Sequence, residues 1–360
     1  MVQRKHYKGK KRMRKILVTG TLGQDGANMC EYLLRNPDNK VYGMIRRSSN
    51  PNFINCGSFL ENENFQLVYG DLTDETSLDK LVKEIQPDYF INFAANSFVG
   101  ISWDMPLHVF DVNTGGVIRC LEAIRKYQPK CKFYSAGSSE EFGDVAYDPQ
   151  DMKHPMRPRS PYGASKCGAR HIVKVYRDSY DMYAVHGTLF NHEGTKRGEE
   201  FVTRKITKGV ARISKALKNN NTFKPIELGN IYSKRDWSDS RDFVKGVWLM
   251  LNQTKPKDYL LASGETHTIK EFVDKAFKYA GISGSWTEVD GDELATKLYN
   301  NSEKGETLVK INKDFYRPAE VELLLGDPTE AMKEIGWKTE ISFDNLVKSM
   351  VQFDIKNCET

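Results

Sequence analysis

Lys15-Ile-Leu-Val-Thr19-Gly20-Thr-Leu-Gly23-Gln-Asp-Gly26 is the stretch that decides the fold. Lys15 to Thr19 is short, apolar and rich in β-formers, as a buried strand requires. Three glycines at Gly-x-x-Gly-x-x-Gly spacing follow, and then Met29, Leu33 and Leu34 fall on one side of a predicted helix. A glycine turn between strand and helix suits a pyrophosphate. Its backbone allows close approach, and the helix N-terminus offers N–H donors and the positive end of a dipole. A glycine motif alone is weak evidence, but both flanks fit. The residues predicted here to bind a nucleotide cofactor are Gly20, Thr21, Leu22, Gly23, Gln24, Asp25 and Gly26.

The next strand, Lys40 to Ile45, ends in Arg46, Arg47, Ser48 and Ser49. A dinucleotide fold that prefers NAD places an acid here for the ribose 2′-hydroxyl. Two guanidinium forks suit a 2′-phosphate instead, so the expected cofactor is NADP. Further strand-like runs come at Gln66–Tyr69, Tyr89–Phe93, Cys131–Ser135 and Met182–Leu189, separated by helical patterns at Ser77–Ile85, His108–Tyr127 and Tyr162–Tyr180. Alternation at this spacing predicts an α/β fold, a doubly wound parallel Rossmann sheet with a smaller C-terminal α/β lobe for substrate. Asp71 and Leu72 follow the third strand, where an adenine contact fits, and Phe93, Ala94, Ala95, Asn96 and Ser97 end the fourth with mostly small residues that would let a cofactor lie close; packing or turn chemistry accounts for either stretch as well. The predicted division gives a basic, disordered tail at 1–12, a cofactor domain at 13–190 with a returning segment at about 230–258, and a substrate lobe at 191–229 and 259–360.

A second stretch, Phe133 to Lys166, bears the chemistry. Its apolar start reads as a strand ending in Ser138, Ser139 and Glu140, and Ser160-Pro161 reads as an N-cap and first helical position. Tyr162 and Lys166 then share one helical face. An ammonium beside a phenol favours the phenolate, so the pair predicts a Tyr base with a pKa drawn toward neutrality. By itself Tyr-x-x-x-Lys is a common chance spacing; the glycine turn upstream changes that.

Bulk properties narrow the class. At 360 residues the chain is long for a single core, and 39% apolar content is enough to fold. No apolar run is long enough for a membrane span, and the N-terminus has charge but no apolar signal region, so a cytoplasmic protein is expected. Six scattered cysteines without a C-x-x-C pair predict free thiols and no metal site. Six basic residues between Arg4 and Arg12 account for more than the whole formal charge of +5, leaving the body near neutral. A solvated extension, not a nucleic-acid arm, is the expected reading. Past Phe190 the elements shorten, with helices expected at Phe201–Ala216, Arg241–Leu251, Thr268–Tyr279 and Phe343–Phe353.

The glycine turn, Ser-x-Glu and Tyr-x-x-x-Lys together resemble the extended short-chain dehydrogenase/reductases that act on nucleotide sugars, and within them the GDP-mannose 4,6-dehydratase family. The resemblance runs from about Arg14 to Val351 and includes Arg159-Ser-Pro-Tyr162, Leu189-Phe-Asn-His-Glu193, Phe201-Val-Thr-Arg-Lys-Ile206, Lys234-Arg-Asp-Trp237 and Tyr316-Arg-Pro318. It implies that Tyr162 is the base, Lys166 its partner and ribose anchor, Glu140 the C5 base, and Ser138 the hydroxyl where the family usually has Thr. It also implies cofactor contacts from His192 and Arg197, and GDP-sugar contacts from Asn191, Lys205, Arg235, Tyr316, Arg317 and Glu320. The loop after Arg47 commonly reaches a neighbouring subunit in the family, which implies a homotetramer.

Two departures bear on the sugar. Ser138 lacks the family's methyl group, and Glu141 adds a second acid where the family has an apolar residue. On an extended backbone Glu141 is expected to point away from the site. A GDP-manno-heptose substrate and a nucleotide-sugar 4-epimerase on the same scaffold stay open at this stage.

Overall fold

The computed structural model describes residues 12–288, 297–315 and 323–358. Residues 1–11 of the basic tail, and Tyr316, Arg317 and Glu320, lie outside the described residues. Arg12, expected within the tail, pairs with Asp88 at 2.9 Å.

Strand β1 (Arg14–Thr19) passes through the glycine turn into helix α1 (Gln24–Leu34), and β2 (Asn39–Ile45) and β3 (Phe65–Tyr69) follow on one side of it. After α2 (Glu75–Ile85) the chain returns to the other side of β1 as β4 (Tyr89–Asn92). Outward from there lie β5 (Lys132–Ala136) and β6 (Ala184–Leu189). The strand order β3-β2-β1-β4-β5-β6 reverses between β1 and β4, which opens a crevice at the carboxyl ends of those two strands. A seventh strand, Tyr259–Leu261, pairs parallel with β6. The stretch that returns to the sheet therefore runs past 258.

Every ladder in the main sheet is parallel, and apart from the edge strand β3 its strands are largely buried, with both faces of the sheet covered. One cover includes Met29, Leu33, Phe243, Val247 and Trp337. The other includes Leu78, Val82, Leu121, Ile124 and Val173. Trp337 in the first cover shows that the C-terminal part of the chain also packs on this sheet. A separate core, with Ile206, Val210, Phe272, Phe277, Leu346 and Met350, holds the smaller lobe together. A four-stranded mixed sheet and α6 (Val202–Lys218) belong to that lobe.

The single helix expected over His108–Tyr127 is divided. A short α-helix, α3 (Pro106–Phe110), passes through a π turn at Asp111–Gly115 into α4 (Gly116–Tyr127). Within the π turn Asn113 is buried; its Oδ1 accepts from Asn96 N–H at 2.9 Å and its Nδ2 donates to Ser165 Oγ at 3.0 Å. Hydrophobic period alone does not register a turn that exists to place one amide. Helix α5 (Pro161–Tyr180) starts as read, with Ser160 Oγ accepting from Gly163 N–H at 3.0 Å. All six cysteines are free, and no described helix is long and apolar enough to cross a membrane.

Candidate active site

A cavity of about 1210 Å³ opens at the crevice between β1 and β4, above the roughly 300–1,000 Å³ of a single-ligand pocket. At one end lies the glycine turn. Gly20 has φ of +69°, and a Cβ there would stand 2.9 Å from Ala94 N; a Cβ on Gly26 would collide with the Gly20 carbonyl oxygen. The turn is thus closed by glycine on both sides. Gly23 caps α1 with no side-chain hydrogen bond, which leaves the helix N–H groups facing the cavity for an anion.

Gly20 to Gly26, Arg46, Ser48, Asp71, Leu72 and Phe93 to Ser97 all line the cavity. Arg47 and Ser49 do not line it; both are exposed where the chain leaves β2. Gln24 Oε1, Asn191 Oδ1 and Ser233 Oγ are buried without a hydrogen-bond partner among the described residues, and all three residues face the cavity. A tight glycine cradle, open helix N–H groups and unsatisfied buried polar atoms fit a dinucleotide and a second polar ligand.

The middle of the cavity is walled by the end of β5 and the start of α5. Ser138, Glu140, Tyr162 and Lys166 all reach it. Ser138 to Glu141 form a tight 3-10 turn, in which Ser138 Oγ accepts from Glu140 N–H at 3.2 Å. The extended geometry expected for Glu141 is therefore corrected. Glu141 is outside the cavity lining, as expected, but through a turn that buries it beneath the site. Glu140 is half-buried and close enough for its charge to act on Tyr162.

The Tyr162 pKa is also a correction. Burial raises it well above the ordinary phenol value; a hydrogen bond from the Ser138 side chain and the charge of Arg197 work against that, while Glu140 and Glu141 add to it. Lys166 donates to the Ala136 carbonyl at 2.7 Å, with its Nζ 5.8 Å from the Tyr162 ring centre. Burial pulls the Lys166 amine down to about 8, against the charges of Glu141 and Asp25. Sequence spacing put the two side chains on one face but carried no information on desolvation, which wins here.

His192 packs flat on Phe243, with ring centres 4.5 Å apart, and its Nε2 lies 2.9 Å from Asp25 Oδ2. Burial works against both charges. Even so, His192 and Arg197 hold the Asp25 carboxyl below its usual value, and Asp25 holds the His192 imidazole above its own. Arg197 Nε lies 3.0 Å from Glu193, with its guanidinium over the Phe201 ring.

At the far end, Asn191, Lys205 and Arg235 line the cavity. Lys205 Nζ sits 3.8 Å over the Phe315 ring, and burial lowers its pKa, with Glu227 opposing. Among the lining residues to which the sequence reading gave no site role are Phe98, Trp103, Asn230, Ser233 and Asp314. Asn55 was also missed; its Nδ2 donates to the Leu22 and Lys196 carbonyls at 3.0 and 3.2 Å and so ties the 46–60 loop over the glycine turn. A loop asparagine such as Asn55 leaves no signal in the sequence.

Sheet order, glycine cradle and the Tyr162–Lys166 helix together define a dinucleotide-binding enzyme fold of the short-chain dehydrogenase/reductase kind. Solved structures agree on the fold. A dTDP-glucose 4,6-dehydratase from Bacillus anthracis in complex with NAD superposes with a TM-score of 0.78 at 21% identity, covering 96% of this chain and 98% of that one. A UDP-glucose 4-epimerase from Thermotoga maritima gives 0.77 at 20%, covering 95% and 99%. The fold alone does not separate those activities. Residues 17–350 match the family model described as GDP-mannose 4,6 dehydratase. A GDP-mannose 4,6-dehydratase of Yersinia enterocolitica is 41% identical over 360 residues, covering 96% of this chain and 95% of the relative; a human GDP-mannose 4,6 dehydratase is 39% identical over 353 residues, covering 96% and 92%. The chain belongs to the GDP-mannose 4,6-dehydratase family, a family of hydro-lyases.

Proposed function

We propose that this chain is an NADP-dependent enzyme that converts GDP-D-mannose to GDP-4-keto-6-deoxy-D-mannose and water. The observation that carries the reading is one cavity wall presenting Glu140 together with Tyr162, Ser138 and Lys166, beside the glycine turn. An epimerase needs the phenol and the ammonium but no acid at Glu140. We divide the work as the fold suggests. The main sheet and its returning strand hold the cofactor, and the smaller lobe with Asn191, Lys205 and Arg235 holds the GDP-sugar. Tyr316, Arg317 and Glu320 join that set by family resemblance.

NADP would be held by Gly20–Gly26, with Arg46 and Ser48 available for its 2′-phosphate, and when bound would supply a hydride acceptor that is not consumed overall. Tyr162 takes the C4 hydroxyl proton as C4 is oxidised, with Ser138 and Lys166 favouring the phenolate. The 4-ketone acidifies the C5 proton, which Glu140 removes. Glu140 then returns that proton to the C6 hydroxyl, which leaves as water and creates a C5=C6 double bond. Reduction at C6 by the hydride taken from C4 requires one proton at C5, equal to the one Tyr162 took from the C4 hydroxyl, so the sum is loss of one water. General acid–base catalysis of this kind contributes about 10²–10⁴-fold per group. The assembly we propose is a cytoplasmic homotetramer.

Incubation with GDP-mannose and mass spectrometry of the product tests the reading: loss of one water supports it, and an unchanged mass indicates an epimerase. The same assay on a GDP-manno-heptose reports the sugar preference. Arg46→Ala should weaken NADP binding about tenfold and leave NAD binding unchanged, because a guanidinium–phosphate bond is worth roughly 1.5–3 kcal/mol. Equal loss for both cofactors contradicts the NADP assignment.

A further inference from the structure

Glu141 is fully buried and has no part in the chemistry above. Its Oε1 accepts from the Ser138 N–H at 2.8 Å and lies 2.9 Å from Nε2 of His186 on β6. Its Oε2 lies 3.6 Å from Nη1 of Arg170 on α5. Strand end, neighbouring strand and helix therefore converge on one carboxylate. Burial would neutralise it, yet His186, Arg170 and the Ser138 N–H hold its pKa below the usual carboxylate value. A Cβ at Gly137 would collide with the His186 ring and stand 2.6 Å from Glu141 Oε1, so only glycine lets this cluster sit directly under the turn.

The contacts have a direction. Glu141 and Ser138 form a reciprocal capping box: Ser138 Oγ takes the Glu140 N–H, and the Glu141 carboxylate takes the Ser138 N–H. The backbone thus fixed is the one that presents Ser138 and Glu140 to the cavity. Around Glu141 stand Tyr134 on β5, His186 on β6, and Tyr162, Lys166, Cys167 and Arg170 on α5. Lys166 donates to the Ala136 carbonyl and faces the Tyr162 ring on its own helix, and the charges of Glu141 from the turn and Asp25 from α1 act on it. Of the two carboxylates that counter its burial, Glu141 is the stronger.

We propose that Glu141 is a positioning residue for the dehydration. Held by His186 and Arg170, it sets the turn that aims Ser138 and Glu140, and it places a fixed negative charge against the stretch of α5 that carries Lys166, where Cys167 Sγ lies 3.5 Å from the Glu141 carbonyl and Arg170 Nη1 3.6 Å from its carboxylate. The inference rests on the roles given above to Glu140, Tyr162 and Lys166.

Glu141→Gln keeps an acceptor for the Ser138 N–H and removes the charge, whereas Glu141→Leu removes both. In Glu141→Gln the Lys166 amine, followed by NMR in the full-length protein with labelled lysine and assigned by its absence in Lys166→Met, should titrate about one pH unit lower than in the parent. The alkaline limb of kcat/KM should move the same way, with kcat down about tenfold and KM for GDP-mannose within about twofold. Glu141→Leu should lose a further tenfold or so in kcat, because the turn is then released. An unmoved Lys166 titration and alkaline limb in Glu141→Gln, with the loss confined to Tm, overturns the inference. Lys166→Met and Glu140→Gln run alongside: full turnover in both refutes the reading of the site itself, whereas their inactivity with an unmoved titration sinks only the role of Glu141. Should Glu141→Leu fail to fold, Glu141→Gln carries both readouts.

Discussion

The wall bearing Tyr162, Lys166 and the 138–141 turn faces the same cavity as the wall bearing Lys205, Arg235 and Phe315, yet the two are held by different means. The first hangs on backbone: Ser160 caps α5, Lys166 ties to the Ala136 carbonyl, and the turn is locked by its own capping box. The second draws mainly on short pieces, a two-residue strand at Lys234–Arg235 and a three-residue turn at Lys313–Phe315, with Lys205 reaching the Phe315 ring from the first turn of α6. Reacting groups gain from regular elements that cannot drift. Recognition of the rest of a ligand tolerates, and adapts through, irregular segments.

The difference makes measurable claims. On the proposed assignment of Tyr162 as base, Tyr162→Phe should lower kcat by about 10³-fold with little change in KM, since a base acts only as the proton moves. Arg235→Met should do the reverse, raising KM for GDP-mannose about tenfold while kcat holds, as expected when a charged hydrogen bond of roughly 1.5–3 kcal/mol to the ligand is lost. If Arg235→Met collapsed kcat instead, the contrast between the walls would fail.

A smaller effect concerns the cofactor end and its Asp25–His192 pair. His192 titrates above its ordinary 6.5 in the folded protein, so its contribution to stability is full below 6.5 and is lost as pH rises through the folded value. Asp25 titrates below its ordinary 3.8, so its contribution is present above 3.8 and is lost as pH falls through the folded value. The Tm advantage of the parent over Asp25→Asn should therefore plateau between 3.8 and 6.5 and shrink on either side. A difference flat across the whole range would mean the pair is not ionic.

Local signals were readable wherever chemistry and chain neighbours coincide. Thr19 to Gly26 showed strand, turn and helix because glycine is required at the turn itself, and Ser160-Pro161 marked the start of α5. The pieces that escaped depend on distant partners. Asp25 meets His192 across 167 residues, and Glu141 meets His186 across 45. The π turn at Asp111–Gly115 serves a hydrogen bond to Asn96 that no helical period reports. The Tyr162 pKa was misread for a related reason: spacing reveals a neighbouring ammonium but not the burial that outweighs it. Glu141 was dismissed on strand geometry, because a short 3-10 turn leaves no pattern in a dipeptide of acids.

The account turns on Glu140 as the group that removes the C5 proton and releases water. The direct measurement is the product mass from GDP-mannose with the parent protein and with Glu140→Gln. The account predicts water loss by the parent and at least about a hundredfold less by the variant, which still binds NADP. A Glu140→Gln protein that forms the 4-keto-6-deoxy sugar at the parent's rate would contradict it.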